Sequence, residues 1–301
     1  MRIIPVIFKF NVSAHFTQKI KNKNLNSWFI FCFTMKLSNI LVVYTVPRSR
    51  EELSALKAVK TALKENKINY RLAVREKLSK KLFSNKDLVI AVGGDGTFLI
   101  ASQYISDKTL VFGVNSDPKC KEGFFMTAKK NDFKVKLRNI INNNYKIRKL
   151  HRIEAYIGNK KIPEPALNEF YVASEKPYHT ARYYLTVRNK RERQKSSGIL
   201  ISTASGSYAW IKSAGGKKLP LQSDKFEYLI REPYYGRTAP KCDLVKGILN
   251  KNEKLGIEFE LGNGIIIADS IGKEYKFKSK QKVTIRLSNK PIHSVSFNSK
   301  A

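Results

Sequence analysis

Leu88-Val89-Ile90-Ala91-Val92-Gly93-Gly94-Asp95-Gly96-Thr97-Phe98-Leu99 is the stretch on which the reading of this chain turns. Its opening apolar run is too short for a helix and reads as a buried strand. The run enters three glycines interrupted by one carboxylate, and a helical pattern over Phe98–Ile105 follows. Glycine lets the backbone turn sharply and approach a ligand with no Cβ in the way. N–H groups at the start of the next helix then face an anion. An ordinary strand-to-helix turn with a capping Asp seldom needs three glycines. The stretch is not a P-loop, because no Gly-Lys-Ser/Thr follows. Nor is it the dinucleotide fingerprint, since Leu99 stands where a third Gly or Ala belongs.

Outward from that loop the pattern is α/β. Ile40–Tyr44 reads as a strand, and Ser49-Arg50-Glu51-Glu52 opens a helix with Leu53, Leu56, Val59 and Leu63 on one face. Tyr70–Val74 is a weaker strand, a short helical piece lies around Leu78–Phe83, and Leu110–Val114 is another buried strand. Alternating strands and helices imply a parallel, Rossmann-like sheet whose ligands bind beyond the carboxyl ends of the strands. The glycine loop and Asn115-Ser116-Asp117-Pro118 both lie at such ends and can share one crevice. A helix is expected over Asp132–Asn142.

After that helix the grammar changes to short β-rich runs: Ile153–Ile157, Phe170–Ala173, Arg182–Val187, Ile199–Thr203, Leu255–Leu261, Gly264–Ala268, Val283–Leu287 and Ser294–Phe297. One helical insert interrupts them around Ser207–Ser213. The expected organisation is an α/β domain over 35–145 and a β-rich, dinucleotide-binding domain over 146–301. Residues 1–34 contain no Asp or Glu and a short apolar patch, Trp28–Phe33, well below the roughly 20 residues needed to span a bilayer. We read them as a disordered or non-native extension of a protein that starts at Met35 and is cytoplasmic. The alternative is a mitochondrial targeting segment.

The 301 residues, 42% apolar and 11% aromatic, suit a folded protein with real cores. Lys and Arg outnumber Asp and Glu by 57 to 24, a formal charge of +33. That surplus points to anionic partners or to a solvated basic surface, and its even spread locates neither. Cys32, Cys120 and Cys242 are too scattered for a disulfide framework or structural zinc, which suggests a reduced, intracellular protein. His15, His151, His179 and His293 lack the spacing of a metal pair, so no metal held by protein alone is expected.

Two further segments carry chemistry. Asn168-Glu169 sets an amide beside a carboxylate where a strand begins. Both reach one ligand only if the backbone bends there, and Pro163 and Pro165 lie just upstream. Taken alone the pair reads as a polar turn. Ser197–Trp210 is an apolar strand entering small and hydroxylated residues, then a helix with a Trp, and Ala214-Gly215-Gly216 closes that helix. Trp210 suits either core packing or the cover of a ligand ring.

Gly93-Gly94-Asp95-Gly96-Thr97 resembles the signature shared by the NAD kinases and the diacylglycerol and sphingosine kinases. With Gly113-Val114-Asn115, Asn168-Glu169, Ser202–Ser207 and Ala214-Gly215-Gly216 in that order, residues 38–290 resemble the NAD kinase family. The Gly-Thr-x-Asn-Asp element of the lipid kinases is missing. Ser196-Ser197-Gly198 stands where many bacterial members have Gly-Asp-Gly, and Tyr208-Ala209-Trp210 replaces Thr-Ala-Tyr. These variants are closest to the mitochondrial-type branch.

The resemblance implies phosphoryl transfer from ATP, or from polyphosphate, to the adenosine 2′-hydroxyl of NAD, with Mg²⁺ carried by the nucleotide. It implies Asp95 as proton acceptor, and Gly93, Gly94, Gly96, Thr97 and Asn115 as phosphate and nucleotide contacts. Asn168, Glu169, Ser205, Tyr208, Ala209 and Trp210 are the implied NAD contacts. A homo-oligomer, dimer or tetramer, is implied as well, with no membrane association. The alternatives are a lipid kinase on the same scaffold and a basic nucleic-acid-binding protein, although no specific nucleic acid is expected.

Overall fold

The parallel sheet follows from apolar runs too short for anything but buried strands. In order come β1 (Ile40–Tyr44), α1 (Arg50–Glu65), β2 (Tyr70–Val74), β3 (Leu88–Gly93), α2 (Asp95–Tyr104) and β4 (Leu110–Asn115). After them comes α3 (Phe133–Ile141). The computed structural model describes residues 37–176, 178–237 and 242–297. The N-terminal extension, with its targeting alternative, lies outside the described residues.

Every residue of β3 and β4 is buried, because helices cover both faces of the sheet. Ile40, Val42 and Ile90 face α1 and α3, while Leu41, Val43, Val89 and Ala91 face α2 and the 3₁₀ turn Lys80–Phe83. The helix α1 starts on a capping box: the Ser49 hydroxyl accepts the Glu52 N–H, and the Glu52 carboxylate accepts the Arg48 N–H at 2.7 Å. Strand order is β2-β1-β3-β4, so the topology reverses between β1 and β3. Ligand crevices open at the carboxyl ends of strands at such a point.

The same sheet then takes strands from beyond residue 145. Ile292–Ser296 lies parallel to β4, and Lys146–Leu150 lies antiparallel to Ile292–Ser296 on the far side. The rest of the chain forms two six-stranded antiparallel sheets. One runs from Lys190–Ser196 through Ala181–Val187, Lys254–Phe259 and Lys282–Leu287 to Ile153–Ile157 and Lys160–Lys161. The other runs from Lys246–Leu249 through Phe226–Arg231, Gly198–Thr203 and Glu169–Ser174 to Gly264–Ala268 and Glu274–Phe277. Tyr183, Leu185, Ile257 and Ile285 from the first meet Phe170, Val172, Ile199 and Phe226 from the second in one buried cluster.

The expected fold class, an α/β part followed by a β-rich part, is the observed one, except that Lys146–Leu150 and Ile292–Ser296, expected in the β-rich part, pair into the α/β sheet. Arg152, fully buried, stitches the halves together. Its Nη1 donates to the carbonyls of Ser102 at 2.6 Å and Ile105 at 2.9 Å, at the end of α2, and its Nε donates to the Lys290 carbonyl at 2.8 Å. Among the described residues, no helix is long and apolar enough to cross a membrane.

Candidate active site

The helix expected from Phe98 starts three residues earlier, at Asp95, with Gly94 as its N-cap. The carboxylate of Asp95 therefore sits in the first turn, where the helix dipole favours negative charge. Gly93 has an ordinary φ, and its need is for space: a Cβ there would collide with the Thr97 side chain. Thr97 corrects the expectation of a phosphate donor. Its N–H is spent on the Gly94 carbonyl at 2.9 Å, and its buried hydroxyl pairs with that of Thr45 at 2.9 Å, tying the end of β1 to the first turn of α2.

Asp95 also has a partner that the sequence did not suggest. Its two carboxylate oxygens accept the N–H groups of Phe124 at 3.0 Å and Phe125 at 2.8 Å. The loop after β4 is thereby drawn over the glycines. Asn115 shapes that loop, donating to the Lys121 carbonyl at 3.0 Å and accepting the Asp117 N–H at 3.1 Å. The stem of Lys121 lies over Gly94, and its ammonium reaches Glu52 at 2.6 Å and the Ser116 hydroxyl at 2.9 Å. Lys121 and the Arg48 N–H hold the Glu52 carboxyl below its ordinary range. Between these walls lies a cleft of about 370 Å³ lined by Thr45, Arg48, Arg75, Gly94, Asp95 and Lys121. Arg48, Arg75 and Lys121 line it together with Glu52, Asp95 and Glu122, Arg75 pairing with Glu76 and Lys121 with Glu52, so phosphate oxygens would be received by these cations and the N-terminus of α2 in place of the carboxylates.

Asn168 and Glu169 come to the same region by a different route. Glu169 begins a strand and Asn168 precedes it, so the bend required of the pair is present. The buried carboxylate of Asp269 makes the bend, accepting the N–H groups of Leu167 at 3.1 Å and Asn168 at 2.6 Å. Asp269 and Ser270 both hold left-handed backbone, φ 54° and 53°, which residues with side chains rarely adopt. Ile271, next in that turn, stands 3.8 Å from where a Cβ of Gly96 would be. Asn168-Glu169 and the glycine loop thus flank a single turn.

Asn168 Oδ1 and Glu169 Oε2 are buried without a hydrogen-bond partner among the described residues. Burial, and after it the neighbouring Asp269 charge, pushes the Glu169 carboxyl up to about 8. Burial likewise raises Asp269 to about 6, against the opposing pull of its backbone donors.

The Ser/Thr-rich segment divides between frame and surface. The Ser205 hydroxyl turns into the frame, donating to the Leu167 carbonyl at 2.9 Å, so the expectation that it faces a ligand is not met in this geometry. Gly206 must be glycine, since a Cβ would strike the Asn168 backbone. Tyr208 is exposed, with its ring 5.2 Å from that of Phe124, which links this segment to the loop held by Asp95. Ala209 joins the 3₁₀ turn Gly206–Tyr208 to the short helix Trp210–Ser213. Trp210 is half-buried between the Tyr171 ring at 5.0 Å and the Arg231 guanidinium at 5.0 Å. Among the described residues, no group of three His, Cys, Asp or Glu side chains could hold a metal ion.

Comparison with known proteins finds NAD and NADH kinases. The chain is 28% identical over 257 residues to a probable NADH kinase of Oryza sativa subsp. japonica, covering 78% of each chain. It is 29% identical over 204 residues to an NAD kinase of Clostridium tetani, covering 66% of this chain and 70% of the relative. An NAD kinase from Archaeoglobus fulgidus, solved in complex with ATP, superposes with a TM-score of 0.70 at 25% identity, over 87% of this chain and 94% of the other. In sequence and in fold this chain is similar to NAD kinases and NADH kinases. Yeast NADH kinase, solved with NADH, shares the fold with a TM-score of 0.74 at 15% identity, over 88% of this chain and 84% of the other. No family model matches the chain.

Measured against the motifs that the family resemblance singled out, sequence reasoning missed Asp269, Phe124 and the cationic trio Arg48, Arg75 and Lys121. Asp269 left one legible trace, a polar Asp269-Ser270-Ile271-Gly272 turn behind the apolar run Gly264–Ala268.

Proposed function

We propose that the chain is an NAD kinase, transferring the terminal phosphoryl group of ATP to the adenosine 2′-hydroxyl of NAD. The carrying observation is the single turn, Asp269–Ile271, that touches Gly96 on one side and holds Asn168 on the other. A dinucleotide lying across that turn would bring its ribose to Asp95. The unpartnered oxygens of Asn168 and Glu169 would meet ribose hydroxyls. At neutral pH Glu169 keeps its proton, so it can donate as well as accept.

The donor's phosphates belong in the cleft beneath Arg48, Arg75 and Lys121. In the transfer, the 2′-oxygen bonds to the terminal phosphorus, and the bond from that phosphorus to the bridging oxygen breaks. ADP leaves with the electron pair, and the hydroxyl proton passes to Asp95. The N–H groups of Phe124 and Phe125 orient that carboxylate and leave lone pairs on each oxygen for the proton. The cationic trio opposes the charge that develops on the phosphoryl oxygens. Mg²⁺, bound through the nucleotide's own oxygens, would add positive charge at the same place.

A coupled assay tests the reading. The purified chain is given NAD, and in parallel NADH because the plant relative is named an NADH kinase, with ATP and then with polyphosphate. NADP formation with ATP is expected. Absence of either phosphorylated product with both donors would overturn the proposal. A dimer or tetramer belongs to the same proposal, and light scattering reads it directly.

A further inference from the structure

At the other end of α2 from Asp95, a cleft of about 540 Å³ lies along the seam between the two halves of the fold, lined by Lys80, Phe83, Tyr104, Arg152, Lys161 and Lys290. The length of α2, at about 1.5 Å per residue, keeps it well apart from the phosphate cleft. Buried Arg152 is among its lining residues, and the hydrogen bonds of its guanidinium all go to carbonyl oxygens. Among the described residues no carboxylate lies within ion-pair distance of it; Asp269 and Glu154 act on it only at longer range.

A buried charge with no counter-ion is costly. Yet the rim adds more cations. Lys80 and Lys290 are exposed and make no ion pair among the described residues, while Lys161 is answered by Glu154. The acid at the rim, Asp107, spends one oxygen on the Thr109 N–H at 3.0 Å. The stacked rings of Phe83 and Tyr104, 5.3 Å apart, form part of the wall.

We infer that this cleft is a second anion site, taking the phosphate group of a small phosphorylated molecule between Lys80 and Lys290 above Arg152. The lysines supply the direct contacts, and Arg152 supplies the field from below. Because the walls come from Lys80–Asp107 on one side and Arg152–Pro165 and Ser288–Lys290 on the other, an occupant would touch both halves.

The test is calorimetric titration of the full chain with inorganic pyrophosphate. The background is R48A/R75A, which removes both guanidiniums from the phosphate cleft. One equivalent should still bind, more weakly as salt rises. Adding K80A/K290A should weaken it by about tenfold or more, a loss of at least about 1.4 kcal/mol. K80A/K290A alone should keep wild-type melting temperature and turnover, since both side chains are exposed and remote from Asp95. A parallel titration with AMP separates the sources. AMP binding that is tighter than pyrophosphate and is lost with K80A/K290A assigns the aromatic wall to a nucleotide base, and a K80A/K290A-dependent preference for pyrophosphate assigns the site to inorganic phosphates. The inference fails if R48A/R75A takes up neither probe, or if K80A/K290A leaves the isotherm unchanged. Neither result depends on the kinase assay.

Discussion

The carboxylate of Asp269 receives the backbone N–H of Asn168 at 2.6 Å, joining residues 101 apart in the sequence. That bond makes the bend through which Asn168 and Glu169 serve one ligand. A hydrogen bond to a charged group contributes roughly 1.5–3 kcal/mol. Asp269→Asn should therefore raise KM for NAD about tenfold or more while kcat changes little. Steady-state kinetics at saturating ATP would show it. A fall in kcat with KM unchanged would assign Asp269 to the chemistry and not to positioning.

Asp95→Asn removes the proton acceptor while keeping the size of the side chain. Turnover should fall by roughly 10²–10⁴-fold, the usual cost of losing a general base. NAD affinity, read by calorimetry, should stay near wild type. The N–H groups of Phe124 and Phe125 add a second effect, since the amide can accept only one of them well. A lower melting temperature is expected in this variant for that reason. Near-normal turnover would leave Asp95 as a clasp for the loop alone.

Arg152→Ala should destabilise the fold strongly. It strands the carbonyls of Ile105 and Lys290, leaves that of Ser102 with the Ile105 N–H alone, and each buried acceptor left unmade costs roughly 1–3 kcal/mol. Urea unfolding should show a loss of about 3 kcal/mol or more. Arg152→Lys, which cannot span the three carbonyls, should recover only part of it.

Stability should also depend on pH through Glu169. Its carboxyl rises from 4.5 to about 8 on folding, so the native state holds a proton that the unfolded chain releases. The stabilising contribution of that proton is complete below about pH 4.5 and is lost as pH rises through about 8. In Glu169→Gln the slope of melting temperature against pH between those limits should flatten. An unchanged slope would place the titration elsewhere.

Much of this is legible in the sequence. The strands Ile40–Tyr44, Tyr70–Val74, Ile153–Ile157 and Gly264–Ala268 have the bounds that their apolar runs indicate. The glycine loop and Asn168-Glu169 announced themselves by composition. Lys190–Ser196 did not, because an edge strand of Lys, Arg, Glu and Gln has no apolar alternation to read. Phe226–Arg231 is apolar enough to read and is absent from the expected strands. Asp269 was invisible for a different reason. Its role is to bind backbone N–H groups far away in sequence, and no local pattern encodes a partner at that separation.

The strand Ile292–Ser296 sits between β4 and Lys146–Leu150 in the sheet that carries the glycine loop. On the ribosome this ordering matters. Residues 88–115 emerge long before Ile292–Ser296, so the Leu110–Val111 end of β4 waits unpaired on that flank, while Ala128–Lys129 pairs early with its other end. An unpaired strand edge invites pairing with other chains. The phosphate-binding half therefore cannot mature as an independent first-made piece. Its sheet is completed only after the strands of the β-rich half have been made.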